Sequence, residues 1–286
     1  MEELTTFQTI GVIGAGTMGG GIAQVAAAAG CNVTLVDMND AAVGRGIDAV
    51  AGSFSRMVAK AKMTSAEMGA APGLIRGTTD YDNLKAVDIV IEAATESFEL
   101  KAKIFKNIDA LVRPEAIIAS NTSSISITKL ASLVSHPDRV VGMHFFNPVP
   151  VMALIEIVRG LQTSDATHDA VDALAKKLGK SPITVRNRPG FVVNRILLPM
   201  INEAFFVLAE GGASAVEIDR GMKFGCNHPM GPLALADLIG LDVLLSVMQV
   251  LYDEFADSKY RPCPLLKEMV AAGYLGRKSG RGVDQY

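Results

Sequence analysis

The chain has 286 residues, 49% of them hydrophobic, with 27 basic and 30 acidic side chains and a formal net charge of −3; that allows one large domain or two ordinary ones with buried cores, and it lacks the basic surplus a nucleic-acid partner demands. The opening MEELTTFQTI is acidic, without the basic-then-apolar pattern of a signal peptide, and the most apolar long stretch, 232–252, carries Asp237 and Asp242, which a membrane span tolerates poorly. The cysteines Cys31, Cys226 and Cys263 are odd in number, widely spaced and form no CxxC pair, which predicts a reduced, cytoplasmic protein with no disulfide framework, no zinc site and no membrane partner.

In chain order, QTIGVIG (8–14) reads as a buried strand, 17–30 as a helix ending on a glycine, and NVTLVD (32–37) as a second strand. A long helix follows over 39–62, and TSAE (64–67) has the spacing of a capping box that starts another. Then come a strand at 88–94, a helix over 99–112, a strand at 116–120, an apolar hairpin with arms 139–146 and 152–158, a helix over 164–178 and a short strand at 181–185. Such alternation predicts a parallel sheet with helices on both faces. At Arg188-Pro189-Gly190 the pattern changes, and beyond it only helical periodicity remains, over 191–210, 214–224, 233–255 and 264–271. The expectation is an α/β domain over 1–188 followed by a smaller all-α domain over 189–286.

The loop GVIGAGTMGG holds Gly14, Gly16 and Gly19 in GxGxxG spacing, with Thr17 and Met18 inside it, directly between a strand and a helix. In a Rossmann-type unit the first glycine makes the turn, the second admits a pyrophosphate to the backbone and the third lets helix pack on strand, while the helix N-terminus stabilises the phosphate. Asp37 closes the next strand 18 positions after Gly19, where an acid binds the adenosine ribose. Its charge opposes a 2′-phosphate, so the expected cofactor is NAD. A glycine-rich turn beside a solvated aspartate is the competing reading.

Three later strand ends are polar: Glu92 to Glu96, Ser120 to Ser124, and His144 with Asn147. Turn chemistry alone explains any one of them. Together they fall on the sheet edge where doubly wound folds bind ligands. In the hairpin, a turn centred near Pro150 sets His144 opposite Glu156, with Cβ atoms about 4.5–5.5 Å apart. A glutamate there fixes the imidazole tautomer and stabilises its charged form, leaving the other nitrogen for proton transfer; a satisfied core histidine is the alternative. On the helix over 39–62, Ser53, Arg56 and Lys60 share one face at i, i+3 and i+7, either as a solvated face or as a surface for an anionic ligand.

The segments GVIGAGTMGGGIAQ, IEAATES, ASNTSSISIT, MHFFNPVPVM, PGFVVNRI and HPMGPLALADLIGLD together resemble the L-3-hydroxyacyl-CoA dehydrogenase family, in its bacterial single-function 3-hydroxybutyryl-CoA type, over about residues 8–282. The resemblance implies an NAD domain followed by a helical domain that forms a homodimer, and interconversion of an (S)-3-hydroxyacyl-CoA with its 3-ketoacyl-CoA. It implies His144 as catalytic base with Glu156 as partner. It places Ser123, Asn147 and Asn194 at the substrate oxygens, and Glu96, Lys101 and Asn121 on the nicotinamide side, with Asn147 at the edge of both ligands. Ser53, Arg56 and Lys60 would meet the CoA nucleotide end. Asn194 would otherwise read as part of an ordinary helix start.

One departure stands out: RGVDQY sets Asp284 where the family usually has an aromatic, which bears on C-terminal packing and not on chemistry. A dehydrogenase acting on a free hydroxy acid or sugar acid, and a non-catalytic NAD-binding protein, are the competing functional readings. A hydrolase built on Ser123 lacks the GxSxG elbow.

Overall fold

The computed structural model describes residues 7–61, 64 and 69–286, and these form two compact units, Met1–Asn187 and Arg188–Tyr286. Of the helix start expected at 64–67, residues 65–67 fall outside the described residues.

In the first unit, β1 (Thr9–Ile13), β2 (Asn32–Val36), β3 (Ile75–Thr78), β4 (Ile89–Glu92), β5 (Ile117–Ser120), β6 (Val140–Phe145), β7 (Leu154–Arg159) and β8 (Ser181–Arg186) make one sheet in the order β3-β2-β1-β4-β5-β6-β7-β8. Pairing is parallel from β3 through β6. The β6–β7 hairpin is antiparallel, and β8 runs parallel to β7. Strands β4, β5 and β6 are buried at every position, as strands covered on both faces must be. The edge strand β3 was not expected from the sequence: IRGT is short, half polar and carries a glycine, and pairing with β2 defines it, not its own pattern.

The described α-helices of this unit are α1 (Thr17–Ala28), α2 (Asp40–Ala59), α3 (Phe98–Leu111), α4 (Ile127–Ala131) and α5 (Asp165–Lys177). Asn39, Ser97, Ser126 and Ser164 cap α2 to α5 by accepting a first-turn N–H. Helix α1 alone among these begins on a residue without a capping side chain, Gly16. Its first-turn N–H groups are therefore left for another acceptor.

The second unit is helical: α6 (Val193–Ala209), α7 (Ala215–Gly225), α8 (Pro232–Ile239), α9 (Leu241–Phe255) and α10 (Pro264–Ala271). Leu198, Ile201, Phe205, Leu233, Leu244, Met248, Leu251 and Leu266 fill its core. The single helix expected over 233–255 is two helices meeting at 98°. Gly240, at φ 104°, ends α8 and begins α9, a conformation that costs a glycine little. Among the described residues no single helix is long and apolar enough to cross a membrane. Asp237 is 1% exposed and accepts hydrogen bonds from the backbone N–H of Val283 and Asp284 and from the Tyr286 hydroxyl. Asp284 thus contributes backbone to this turn, so the missing aromatic does not undo the C-terminal packing.

Candidate functional site

The strand order reverses between β1 and β4, and ligands of doubly wound sheets bind beyond the carboxyl ends at such a point. Gly14 stands there at φ 100°, and a Cβ on it would lie 2.7 Å from the Ala93 carbonyl oxygen. A Cβ on Gly19 would lie 1.7 Å from the Gly14 carbonyl oxygen, whereas one on Gly16 would meet nothing within 4 Å. The first and third glycines are therefore required by packing, and the second keeps an approach open. That open backbone, with the uncapped start of α1, fits the pyrophosphate of a dinucleotide. Asp37 lies at the same place: its Oδ2 accepts from Ala15 N at 2.7 Å and its Oδ1 from Met38 N. Thr17 faces the adjoining cavity, while Met18 packs its side chain against the core.

Glu92, Ser120 and Gly142 are ladder partners across β4, β5 and β6, so the polar ends of these strands form one row. Glu92 is fully buried and accepts from Lys101 Nζ at 2.7 and 2.9 Å, from Ser120 Oγ and from Ala94 N. Lys101, expected on the nicotinamide side, is 1% exposed, and its ammonium is taken up by Glu92, the Ala94 carbonyl and Glu96. It braces Glu96 from beneath. One Glu96 oxygen accepts from Thr122 Oγ1, Ser123 N, Ser124 N and Ser124 Oγ at 2.5–3.1 Å, with Ser123 Oγ at 3.4 Å. Burial opposes the Glu96 charge, but Lys101 and these hydrogen bonds more than offset it and hold the carboxyl below the usual glutamate range. Ser123 is thus presented by a loop wrapped around a carboxylate. Asn121 ties β5 to β6 by accepting from Phe145 N.

His144 and Glu156 are direct cross-strand partners in the β6–β7 hairpin, as the spacing predicts. Nδ1 of His144 lies 2.6 Å from Oε2 of Glu156, with the residues 6% and 0% exposed. The Phe146 ring lies against the imidazole, centroids 4.6 Å apart. Glu156 holds Nδ1 and so fixes the orientation of the ring. Asn147 follows two residues beyond β6, and Lys180, 9% exposed, clamps this loop by donating to the carbonyls of Val149 and Met152. Burial pushes the Lys180 ammonium below its ordinary range. No sequence pattern marked Lys180, because its two acceptors lie about thirty residues away in the chain.

A cavity of about 430 Å³ runs between α1 and α2 and under the hairpin loop. It brings together Gly16, Thr17, Asp37, Ser53, Arg56 and Asn147. Lys60, the C-cap of α2, is exposed and outside the lining. Asn194 belongs to the second unit, in the first turn of α6, and is half-buried.

Residues 9–188 match the family profile of the 3-hydroxyacyl-CoA dehydrogenase NAD binding domain, and residues 190–286 that of the 3-hydroxyacyl-CoA dehydrogenase C-terminal domain. The chain is 51% identical over 277 residues to a 3-hydroxybutyryl-CoA dehydrogenase of Bradyrhizobium diazoefficiens, covering 97% of this chain and 94% of that one. It is 48% identical to the Clostridioides difficile enzyme of the same name, covering 97% and 99%. The crystal structure of the (S)-3-hydroxybutyryl-CoA dehydrogenase PaaH1 from Ralstonia eutropha matches with a TM-score of 0.96 at 66% identity, covering 98% of this chain and 99% of that one. With both units matched by the two domains of one family, and relatives about half identical along nearly the whole length, this protein belongs to the 3-hydroxyacyl-CoA dehydrogenase family.

Proposed function

We propose that this NAD-dependent oxidoreductase interconverts (S)-3-hydroxybutyryl-CoA and acetoacetyl-CoA, with His144 and Glu156 as its acid–base pair. The buried 2.6 Å contact between Nδ1 and Glu156 carries this reading, because an orienting carboxylate is what a proton-transferring imidazole needs. NAD supplies the hydride acceptor for C3 of the hydroxyacyl group, and its donor in the reverse direction. Nε2 of His144 takes the 3-hydroxyl proton during oxidation and returns it during reduction, while Glu156 stabilises the charged ring in between. Ser123 and Asn147 orient the substrate oxygens, and the family resemblance assigns the same role to Asn194. The Gly14–Gly19 loop and Asp37 hold the dinucleotide, with Glu96 and Asn121 shaping its nicotinamide side and Lys101 acting there only through Glu96. A cytoplasmic homodimer belongs to the same proposal. Exposed apolar residues of the second unit, Ile196, Val216, Phe224 and Leu238, support pairing through that unit.

Initial rates over acetoacetyl-CoA, longer 3-ketoacyl-CoA esters and free acetoacetate, each with NADH and NADPH, test the reading. Acetoacetyl-CoA with NADH should show the highest kcat/KM. Free acetoacetate turned over equally well would overturn it in favour of a free-acid dehydrogenase.

Two substitutions refine the ligand assignments. Asp37→Ser removes the charge that opposes a 2′-phosphate, so discrimination between NADH and NADPH should relax while NADH binds more weakly. An unchanged preference would remove Asp37 from the ribose site. Arg56→Ala should raise KM for acetoacetyl-CoA with kcat nearly constant, since binding remote from the reacting carbon is uniform between ground and transition states. Lys60→Ala should act in the same direction but less, as Lys60 is outside the cavity lining. Neither change should affect a truncated pantetheine thioester; equal losses on both substrates would refute a nucleotide-end role.

A further inference from the structure

The cavity is a groove between two helix faces. Thr17, Gly20, Gly21 and Gln24 line it from α1, and Ala42, Arg45, Gly46, Ala49, Val50, Ser53 and Arg56 line it from α2. These are i, i+3, i+4, i+7 progressions, each a single face. Gly20, Gly21, Ala42, Gly46 and Ala49 keep the walls slim in places, and Val149 packs so closely that a Cβ on Gly21 would meet it at 2.8 Å. One end opens at Asn147, beside the hairpin that carries His144, and the α2 face leads to Arg56. From Arg45 to Arg56 that face extends about 16 Å at 1.5 Å per residue. An extended ligand can lie along such a groove.

Gln24 is the anomaly in this wall. It is 2% exposed, yet its Nε2 donates only to the Met57 sulfur, at 3.1 Å, a weak acceptor. Its Oε1 accepts no hydrogen bond among the described residues, and it is not among the atoms wholly sealed from solvent without a partner. A buried carboxamide left this poorly satisfied costs stability unless something else completes it. The remedy lies in the groove. An amide crossing it can offer an N–H to Oε1 and a carbonyl to Nε2, which would exchange its sulfur contact for a stronger one.

We infer that Gln24 is the anchor for an amide of the pantetheine arm of the acyl-CoA, placed between the reacting thioester at Asn147 and the nucleotide end at Arg56. The inference rests on the acyl-CoA reading proposed above. Gln24 takes no part in the chemistry; it sets how strongly the arm is held.

The test is Gln24→Met, which keeps the volume and removes the carboxamide, beside Met57→Leu, which keeps the carboxamide and removes its sulfur partner. One lost neutral hydrogen bond corresponds to about a three- to tenfold change. Gln24→Met should raise KM for acetoacetyl-CoA by that factor with kcat within about twofold, and should leave the ethyl thioester of acetoacetate, which has no amide, unaffected. Calorimetry reads the same residue without turnover: coenzyme A should bind Gln24→Met correspondingly more weakly, and adenosine 3′,5′-bisphosphate, which lacks the arm, should bind as to the wild type. Met57→Leu should change neither ligand. Wild-type turnover of acetoacetyl-CoA tests the functional reading separately, since the calorimetric comparison stands on binding alone. An equal loss on the ethyl thioester, a loss in KM for NADH instead, the same loss in Met57→Leu, or unchanged coenzyme A affinity would each overturn the assignment.

Discussion

Replacing His144 by glutamine is expected to lower kcat by about 10²–10⁴-fold, the usual contribution of a positioned acid–base group, with NADH affinity retained. Glutamine keeps a polar side chain at the end of β6 but cannot cycle a proton. Glu156→Gln removes the charge that stabilises the imidazolium and leaves a carboxamide that can still accept from Nδ1, so its loss should be similar or smaller. The pair meets in a buried contact of 2.6 Å, and with the imidazole gone Glu156 has no ring to orient. The double variant should therefore be little worse than His144→Gln alone, the non-additivity of residues that act together. Steady-state rates for the three variants, with circular dichroism to establish folding, make the measurement. Losses that multiply in folded protein would reduce Glu156 to a packing residue.

The second large effect is on stability. Lys101→Met leaves the Glu92 carboxylate fully buried without its cation, although Ser120 Oγ and Ala94 N still donate to it. Breaking one side of a buried pair costs about 3–5 kcal/mol, so thermal unfolding of the first unit should move down on the order of 10 °C. Lys101→Met combined with Glu92→Gln removes both charges and should recover part of that loss. Glu96 loses its cation as well, and the Ser123 loop that wraps it should loosen, raising KM for acetoacetyl-CoA in the single variant. A melting temperature within a degree of the wild type would show that the pair contributes nothing to holding the strand ends together.

Legibility of the fold followed the range of the interactions. The glycine loop and the cross-strand placing of His144 against Glu156 arise within a few residues or across one hairpin, where backbone geometry fixes the neighbour. The network beneath the Ser123 loop is different. It joins Glu92, Lys101, Ser120 and the 122–124 loop through β4, α3 and β5, and no spacing along the chain distinguishes a lysine that braces a carboxylate from one that faces a ligand. Gln24 was silent for the same reason: a glutamine on an apolar helix reads as ordinary until a second helix covers it.

By itself, then, the sequence determined the alternation that builds the sheet, the change to helices near Pro189, the dinucleotide loop with its acid, and a motif set specific enough to point to one family, because period, turn chemistry and motif spacing are local properties. Tertiary structure alone decided that IRGT would be a strand, since the open side of β2 supplies its hydrogen bonds. It decided that the apolar run after Pro232 would break at Gly240, where Asp237 is buried beneath the 282–286 turn. It also decided that Lys101 would be sealed inside while Arg56 lines a cavity. Burial is a property of what packs over a residue, and the covering segments lie far away along the chain.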